Sequence, residues 1–185
     1  MSKNNSLKIL LFVSTTMTFV LGVFAPFYTL YVVKLGGDIY SAGLSWAAFS
    51  IVSGVLMLSF TVWETSVKDK KILYATGYFL RAVVFCMYIF VSSISELILV
   101  QILLGISFAL SNPAFDALFM KHTDRNKEIA EWGGWEGFTA IATGCAAVVG
   151  GYAIENYGFI SIFSIMALIS LGLGIYLITL PKDIL

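Results

Sequence analysis

Charged residues and cysteines are scarce in this chain. Only 12% of its 185 residues are charged, about half the share of a typical soluble domain, and eleven Lys and Arg balance eleven Asp and Glu. So few charges cannot cover a water-facing surface, which excludes an ordinary soluble domain, and the missing basic excess excludes a nucleic-acid binder. The two cysteines provide no disulfide framework and no metal-ligand spacing, so we predict neither a metal nor another cofactor.

Hydrophobic residues are abundant instead, and they are gathered in runs. They make up 59% of the chain and form six stretches of roughly 20 residues or more, enough for a helix to cross the hydrocarbon core of a bilayer. Runs without an alternating pattern predict helices and not barrel strands. We therefore predict an all-α membrane protein in which residues 1–185 form a single domain of six transmembrane helices. Their predicted bounds are 9–33, 42–62, 72–92, 97–120, 133–154 and 159–180.

The distribution of basic residues predicts the orientation in the membrane. If the helices alternate in direction, nine of the eleven basic residues lie on one side, and only Lys34 lies on the other. Since Lys and Arg are retained on the cytoplasmic side, we expect a protein integral to the cell (inner) membrane with both termini in the cytoplasm. The residues on the cytoplasmic side are Lys3, Lys8, Lys68, Lys70, Lys71, Lys121, Arg125, Lys127 and Lys182.

Three charged residues lie inside the predicted helices, where each costs about 2.5 to 3.5 kcal/mol and therefore indicates a function. Arg81 lies near the middle of the third helix, Asp116 near the end of the fourth and Glu136 near the start of the fifth. Tyr78 and Phe85 lie one turn to either side of Arg81, so the guanidinium can be held by cation–π contact plus a carboxylate. We expect Asp116 or Glu136 to supply that carboxylate, in an ion pair that braces or gates the bundle.

Polar residues of the fourth predicted helix share one face. At roughly 100° per residue, Gln101, Phe108, Asn112 and Asp116 fall within a stripe about 80° wide. Because lipid cannot satisfy an amide or a carboxylate, this face is expected to look into the bundle or into a water-filled cavity. The alternative interpretation is hydrogen bonding between helices without any ligand.

Small residues form stripes on two other predicted helices. The second helix presents Gly43, Ser50 and Gly54 on one face, and the fifth presents Thr143 and Gly150. Small side chains let helix backbones approach closely, and this packing drives helix association in lipid. The two stripes therefore predict either packing within the bundle or a subunit interface.

A weak internal repeat relates the two halves of the sequence. Residues 46–50 match residues 135–139 at an offset of 89, and Pro26 and Pro113 are separated by 87. Predicted helices one to three are thus repeated as helices four to six. A repeated unit of three helices has inverted topology, which is a recurrent construction of secondary transporters.

Several segments together resemble one six-helix half of the major facilitator superfamily. They are Pro-Phe-Tyr-Thr-Leu-Tyr at 26–31, Lys-Asp-Lys-Lys at 68–71, Gly-Tyr-Phe-Leu-Arg-Ala at 77–82, Pro-Ala-Phe at 113–115 and Tyr-Gly-Phe at 157–159. The chain departs from the family pattern at Gln101, where many proton-coupled members carry arginine. Family members usually have twelve helices in two halves, with the solute held between them. Because one half has an even number of helices, two copies have the same orientation and can pair about a twofold axis.

The resemblance and the polar face imply a half-size secondary transporter that acts as a homodimer and moves a small solute by alternating access. In this hypothesis Tyr28, Gln101 and Asn112 line the solute cavity. The alternative is a non-transporting six-helix membrane protein, or an excised half of a twelve-helix transporter. We expect no enzymatic activity and no catalytic residues, because the only histidine, His122, lies in a predicted cytoplasmic loop and no phosphate-binding loop motif is present.

Overall fold

The protein is helical throughout the residues that its computed structural model describes, which are 3–67, 69–181 and 184–185. The helices are α1 (Lys3–Phe24), α2 (Tyr28–Lys34), α3 (Ile39–Ser66), α4 (Lys70–Tyr88), α5 (Ile94–His122) and α6 (Glu128–Thr179), with a 3-10 turn, Ala25–Phe27, between α1 and α2. The segments long and apolar enough to cross a membrane are Asn5–Lys34, Ile39–Phe60, Ile94–His122 and Glu128–Thr179. The all-α prediction is confirmed for this part of the chain. Lys68 and Lys182, which contributed to the predicted orientation, lie outside it.

The predicted first helix, 9–33, is interrupted near its end. Pro26 lies in the 3-10 turn, and the backbone at Phe27 departs from helical values, with φ −102° and ψ 6°. Proline has no backbone N–H and its ring clashes with the preceding turn, so a regular α-helix cannot continue through it. Helices α1 and α2 therefore meet at this turn, and together they form the single apolar segment Asn5–Lys34.

Two helices were expected over 133–154 and 159–180, and the structure has the single element α6 there. Gly158 interrupts this element with φ 75° and ψ 173°, a backbone conformation that residues with a Cβ rarely adopt. The interruption divides α6 into arms 128–157 and 159–179. The loop expected at 155–158 is therefore reduced to a break at one glycine.

Side-chain contacts distinguish the two ends of the bundle. At one of them, the Lys71 end, Lys71 Nζ donates a hydrogen bond to the Leu180 carbonyl oxygen at 2.6 Å, and Trp132 packs against Phe119 of α5 with ring centroids 5.2 Å apart. The opposite end is the Gly158 end. Since both termini of α6 lie at the Lys71 end, its two arms run antiparallel.

The remaining predicted bounds differ from the structure by two to four residues. The helix expected over 42–62 is α3, the one expected over 72–92 is α4, and the one expected over 97–120 is α5. Helix α4 is not among the four apolar segments. Its 19 residues include Arg81 and the lysines at 70 and 71, which lower its hydropathy.

Glycines allow the helices to pack closely. A Cβ placed on Gly22 of α1 would stand 3.0 Å from the Ala146 Cβ of α6, and one placed on Gly150 would overlap the carbonyl oxygen of Val23. A Cβ on Gly105 of α5 would stand 2.7 Å from a carbonyl oxygen of α3. Such approaches are possible only without a side chain, so glycine determines which faces of these helices meet.

Aromatic rings close the Gly158 end of the bundle. Phe163 lies 4.9 Å from Phe24 and 4.9 Å from Tyr88, between ring centroids, and Tyr31 lies 5.1 Å from Phe159. The Tyr31 hydroxyl donates to the Tyr88 carbonyl oxygen at 3.0 Å. These rings fill the core at the Gly158 end with aromatic side chains.

Candidate functional site: a cavity at a buried arginine

A cavity of about 440 Å³ lies between α1, α4, α5 and the arm 128–157 of α6, in the half of the bundle toward the Lys71 end. Its volume is within the range of small-molecule sites, roughly 300 to 1,000 Å³. Charged, polar and aromatic side chains line it together. They are Ser14, Thr18, Tyr74, Tyr78, Arg81, Phe108, Asn112, Phe115, Asp116, Trp132, Trp135 and Glu136, with Met17 and Leu21.

Arg81 is the buried charge of this cavity. Only 3% of the residue is exposed, and its Nη2 donates to Ser111 Oγ at 2.5 Å and, more weakly, to Asn112 Oδ1 at 3.4 Å. Its Cζ lies 4.0 Å from the centre of the Phe108 ring and 5.2 Å from that of Tyr78. Among the described residues, no acceptor pairs with Nε. The guanidinium is therefore held by rings and neutral oxygens.

The expected ion pair between Arg81 and a carboxylate is not formed. Asp116 and Glu136 both line the cavity, but neither makes a salt bridge with the guanidinium. Ser111 accepts the hydrogen bond from Arg81 instead, because α4 and α5 approach closely at this point. A Cβ on Gly77 would stand only 2.5 Å from the Ser111 Cβ. Glu136 instead accepts a hydrogen bond from Trp132 Nε1 at 3.1 Å.

Of the three residues expected to line the cavity, only Asn112 does so. Tyr28 is buried between α2 and α3, where its hydroxyl shares a hydrogen bond with Ser45 Oγ at 2.5 Å. Gln101 is also buried and interacts with the same hydroxyl, and its Oε1 has no hydrogen-bond partner among the described residues. Both lie nearer the Gly158 end, because Gln101 is close to the start of α5 and Tyr28 follows the 3-10 turn.

Comparison with known proteins gives one clear result. The family model described as Major Facilitator Superfamily matches residues 9–183. The chain belongs to the major facilitator superfamily. A search of curated proteins and a search of solved structures found no match. The family resemblance is thus confirmed, and membership together with the apolar helices indicates an integral membrane protein of a transporter family.

The small-residue stripes of this major facilitator chain lie in two different environments. Gly150 is buried against α1, so it serves packing within the bundle. Gly43, Ser50, Gly54 and Thr143 are exposed, and for both glycines no described atom lies within 4 Å of where a Cβ would stand. The exposed small residues therefore lie in two places, Gly43, Ser50 and Gly54 on α3 and Thr143 on the arm 128–157 of α6.

Ser111, which accepts a hydrogen bond from the guanidinium, was not predicted as a site residue. Its Oγ also donates to the Ser107 carbonyl oxygen at 2.9 Å, the common pattern of a helical serine. The available signal was the polar run Ser111-Asn112 on the same helix as Gln101. The hydrogen bond from Trp135 Nε1 to Ser14 Oγ at 3.0 Å, which ties α6 to α1 across the cavity, was not predicted either.

Proposed function

We propose that this major facilitator chain is a secondary transporter and that the cavity at Arg81 is its solute site. The buried guanidinium is the observation that carries the proposal. A charge held away from water inside a membrane helix is costly, and such residues mark solute or ion pathways. The site also combines a few polar groups with aromatic walls, which is the usual composition of a small-molecule pocket.

Six crossings in a 3+3 inverted repeat are the arrangement that we propose for the bundle. The antiparallel arms of α6 supply two crossings, and α4 supplies a further one beyond the other apolar segments. The packing partners support the repeat, since α1 packs on the arm 128–157 through Gly22 while α5 packs on α3 through Gly105. This exchange of partners is expected when three helices are repeated with inverted topology.

The orientation is part of the same proposal. Lys71 and Lys121 lie at one end of the bundle, where their Nζ atoms donate to the carbonyl oxygens of Leu180 and Leu185 at 2.6 and 3.2 Å. Lys34 lies at the opposite end, 5.5 Å from the Phe159 ring. The positive-inside rule then assigns the Lys71 end, and with it both termini, to the cytoplasmic side of the cell (inner) membrane.

Two copies of the chain are proposed to work together, as the two halves of a twelve-helix member do. The exposed small residues on α3, Gly43, Ser50 and Gly54, and the exposed Thr143 on the arm 128–157 support this pairing, because small side chains allow helices of a second copy to approach closely. A twofold axis along the membrane normal would bring α3 of one copy to the arm 128–157 of the other. Rocking of the two bundles would then expose the cavities to each side in turn.

A second candidate function is a bundle that does not transport by itself, either as a monomer or as one half of a longer transporter. The same exposed small residues favour it, since another protein could cover them instead of a second copy. The two candidates differ in the oligomeric state of the purified chain and in its activity after reconstitution.

Flux measurements test the transport proposal. The purified chain is reconstituted into liposomes, and uptake of radiolabelled sugars, amino acids and organic acids is followed under proton, sodium and counterflow gradients. We expect uptake of at least one solute, its loss in Arg81→Gln, and its retention in Lys34→Gln, which removes a positive charge outside the cavity. If no solute enters under any gradient, the transport proposal fails.

Cross-linking tests the pairing. Cys86 and Cys145 are both exposed, so they are first replaced by serine. Differently tagged chains carrying Ser50→Cys and Thr143→Cys are then mixed in lipid and oxidised. We expect a disulfide-linked pair with both tags, and none when Thr143→Cys is replaced by Leu168→Cys, an exposed position on the other arm of α6. Equal yields from both mixtures would contradict the dimer.

A further inference from the structure

The guanidinium of Arg81, unpaired with any carboxylate in the described part of the chain, indicates which kind of solute the cavity accepts. We propose that the solute is a small organic monoanion, in which a carboxylate pairs with the Arg81 guanidinium and an apolar or aromatic body lies against the rings of the wall. This inference rests on the proposed transport function and adds the chemical class of the solute to it.

Among the residues that the structure describes, no carboxylate forms a salt bridge with Arg81. An arginine side chain stays protonated in proteins, and burying such a charge without a counter-ion is expensive. Ser111 and Asn112 offer only neutral acceptors, and Nε has no partner among the described residues. An anion that enters the cavity therefore gains a charge-assisted interaction that no protein group provides.

The aromatic surroundings of the guanidinium also favour a carboxylate as its partner. The Phe108 and Tyr78 rings lie 4.0 and 5.2 Å from the guanidinium carbon. Rings stabilise the cation and restrict its position without supplying a full negative charge. A planar carboxylate matches the fork of donors on a guanidinium that is held in this way.

The carboxylates of the cavity limit the negative charge of the solute to one. Asp116 and Glu136 line the same cavity, and neither is neutralised by a salt bridge to Arg81. A single negative charge on the solute pairs with the guanidinium. A second negative charge would have no cation to pair with and would be repelled by these carboxylates. The remaining wall, with Phe115 and Trp135, provides apolar surface for an uncharged body.

Equilibrium binding to the full chain in lipid nanodiscs tests the inference. Three probes share a ring and differ in charge: benzoate, neutral benzamide and doubly charged phthalate. We expect benzoate to bind at least tenfold more tightly than either of the others, read out by quenching of the tryptophans at 132 and 135 and by calorimetry. Equal affinity for benzoate and benzamide, or no binding of benzoate, would overturn the proposal.

Two variants assign the preference to named residues. Arg81→Gln should abolish the preference for benzoate over benzamide, while Lys34→Gln should retain it. If Arg81→Gln does not fold, Asp116→Asn is measured instead. Removing this carboxylate should raise the affinity for phthalate by about tenfold, and the affinity for benzoate should change by no more than a factor of a few. Unchanged selectivity in Asp116→Asn would overturn the limit to one charge.

The outcome can be separated from that of the transport proposal, because binding is measured without flux. Benzoate binding through Arg81 without uptake of any solute would refute transport and retain the anion site. Uptake of a neutral solute by the natural chain, undiminished in Arg81→Gln, would retain transport and refute the anion site.

Discussion

Arg81 and Ser111 form a direct hydrogen bond between α4 and α5, with 2.5 Å between Nη2 and Oγ. The bond joins a buried charge to a neutral hydroxyl, at a place where the two helices approach closely at Gly77. It holds the guanidinium at the cavity wall without neutralising it. The first prediction concerns this contact.

Replacing Ser111 by alanine should destabilise the bundle. A buried charged donor that loses its main acceptor costs about 1 to 3 kcal/mol, so thermal unfolding in detergent should begin at a lower temperature. Ser164→Ala is the matched control, because the Ser164 hydroxyl bonds to the Ile160 carbonyl within its own helix at 2.9 Å. An equal loss of stability in both variants would show that the hydrogen bond to Arg81 contributes no more than a bond within one helix.

A methyl group at position 150 should disrupt the contact between α1 and α6. Its Cβ would overlap the Val23 carbonyl oxygen, and the required backbone shift costs about 1 to 3 kcal/mol in overpacked cores. Gly144→Ala is the control, since no described atom lies within 4 Å of a Cβ there. We expect lower thermal stability for Gly150→Ala alone. Similar melting curves for the two variants would contradict the packing described for this helix pair.

Gly158 should be sensitive for a different reason. With φ 75° and ψ 173°, alanine at this position would be forced into a strained conformation that costs about 1 to 3 kcal/mol. We expect the strain to reduce the stability of the two arms of α6. Proteolysis between the arms should be faster, and the unfolding temperature should be lower. Gly172→Ala, in open space on a regular stretch of α6, should leave both measurements unchanged.

Asp38 should make stability depend on pH at the start of α3. The Ser41 backbone N–H and hydroxyl both donate to Asp38 Oδ1, at 2.8 and 2.6 Å, and these bonds lower the pKa of Asp38 below its ordinary value of 3.8. A depressed folded-state pKa adds stability above the unfolded-state pKa, and this contribution disappears as the pH falls through the folded-state pKa. The natural chain should therefore be more stable than Asp38→Ala at neutral pH, and the difference should vanish below the lowered pKa.

Thermal unfolding of both chains between pH 7 and pH 2.5 measures this difference. Asp38→Asn serves as the control, because asparagine retains an acceptor for the helix N-terminus but has no carboxyl group to titrate. A difference between the natural chain and Asp38→Ala that stays constant over the whole range would contradict the assigned role of the ionised cap.

Much of the architecture could be predicted from the sequence. Apolar runs specify where helices form, because hydropathy and length depend only on neighbours along the chain. The interruptions were harder to predict. Pro26 ends an α-helix by its own chemistry, whereas at Gly158 the break occupies a single residue, and the break expected there was a loop of several residues.

Less of the candidate site could be predicted. Asn112 was expected to line the solute cavity and Arg81 to belong to a separate ion pair, whereas the structure brings both to one cavity. Tyr28 and Gln101 were expected in the same cavity, but they lie nearer the Gly158 end and form a separate buried cluster. Helical periodicity gives the face that a residue occupies, and it does not give the depth at which neighbouring helices meet.

The sequence by itself determined that this protein is a helical membrane protein of the major facilitator type, because composition and motifs are properties of the chain alone. Only the tertiary structure decided which group meets Arg81. Ser111 and Asp116 are five residues apart on α5, about 7.5 Å along the helix axis at 1.5 Å per residue, and the packing of α4 on α5 selects between them. The selection of the neutral hydroxyl leaves the arginine charge free to receive an anion.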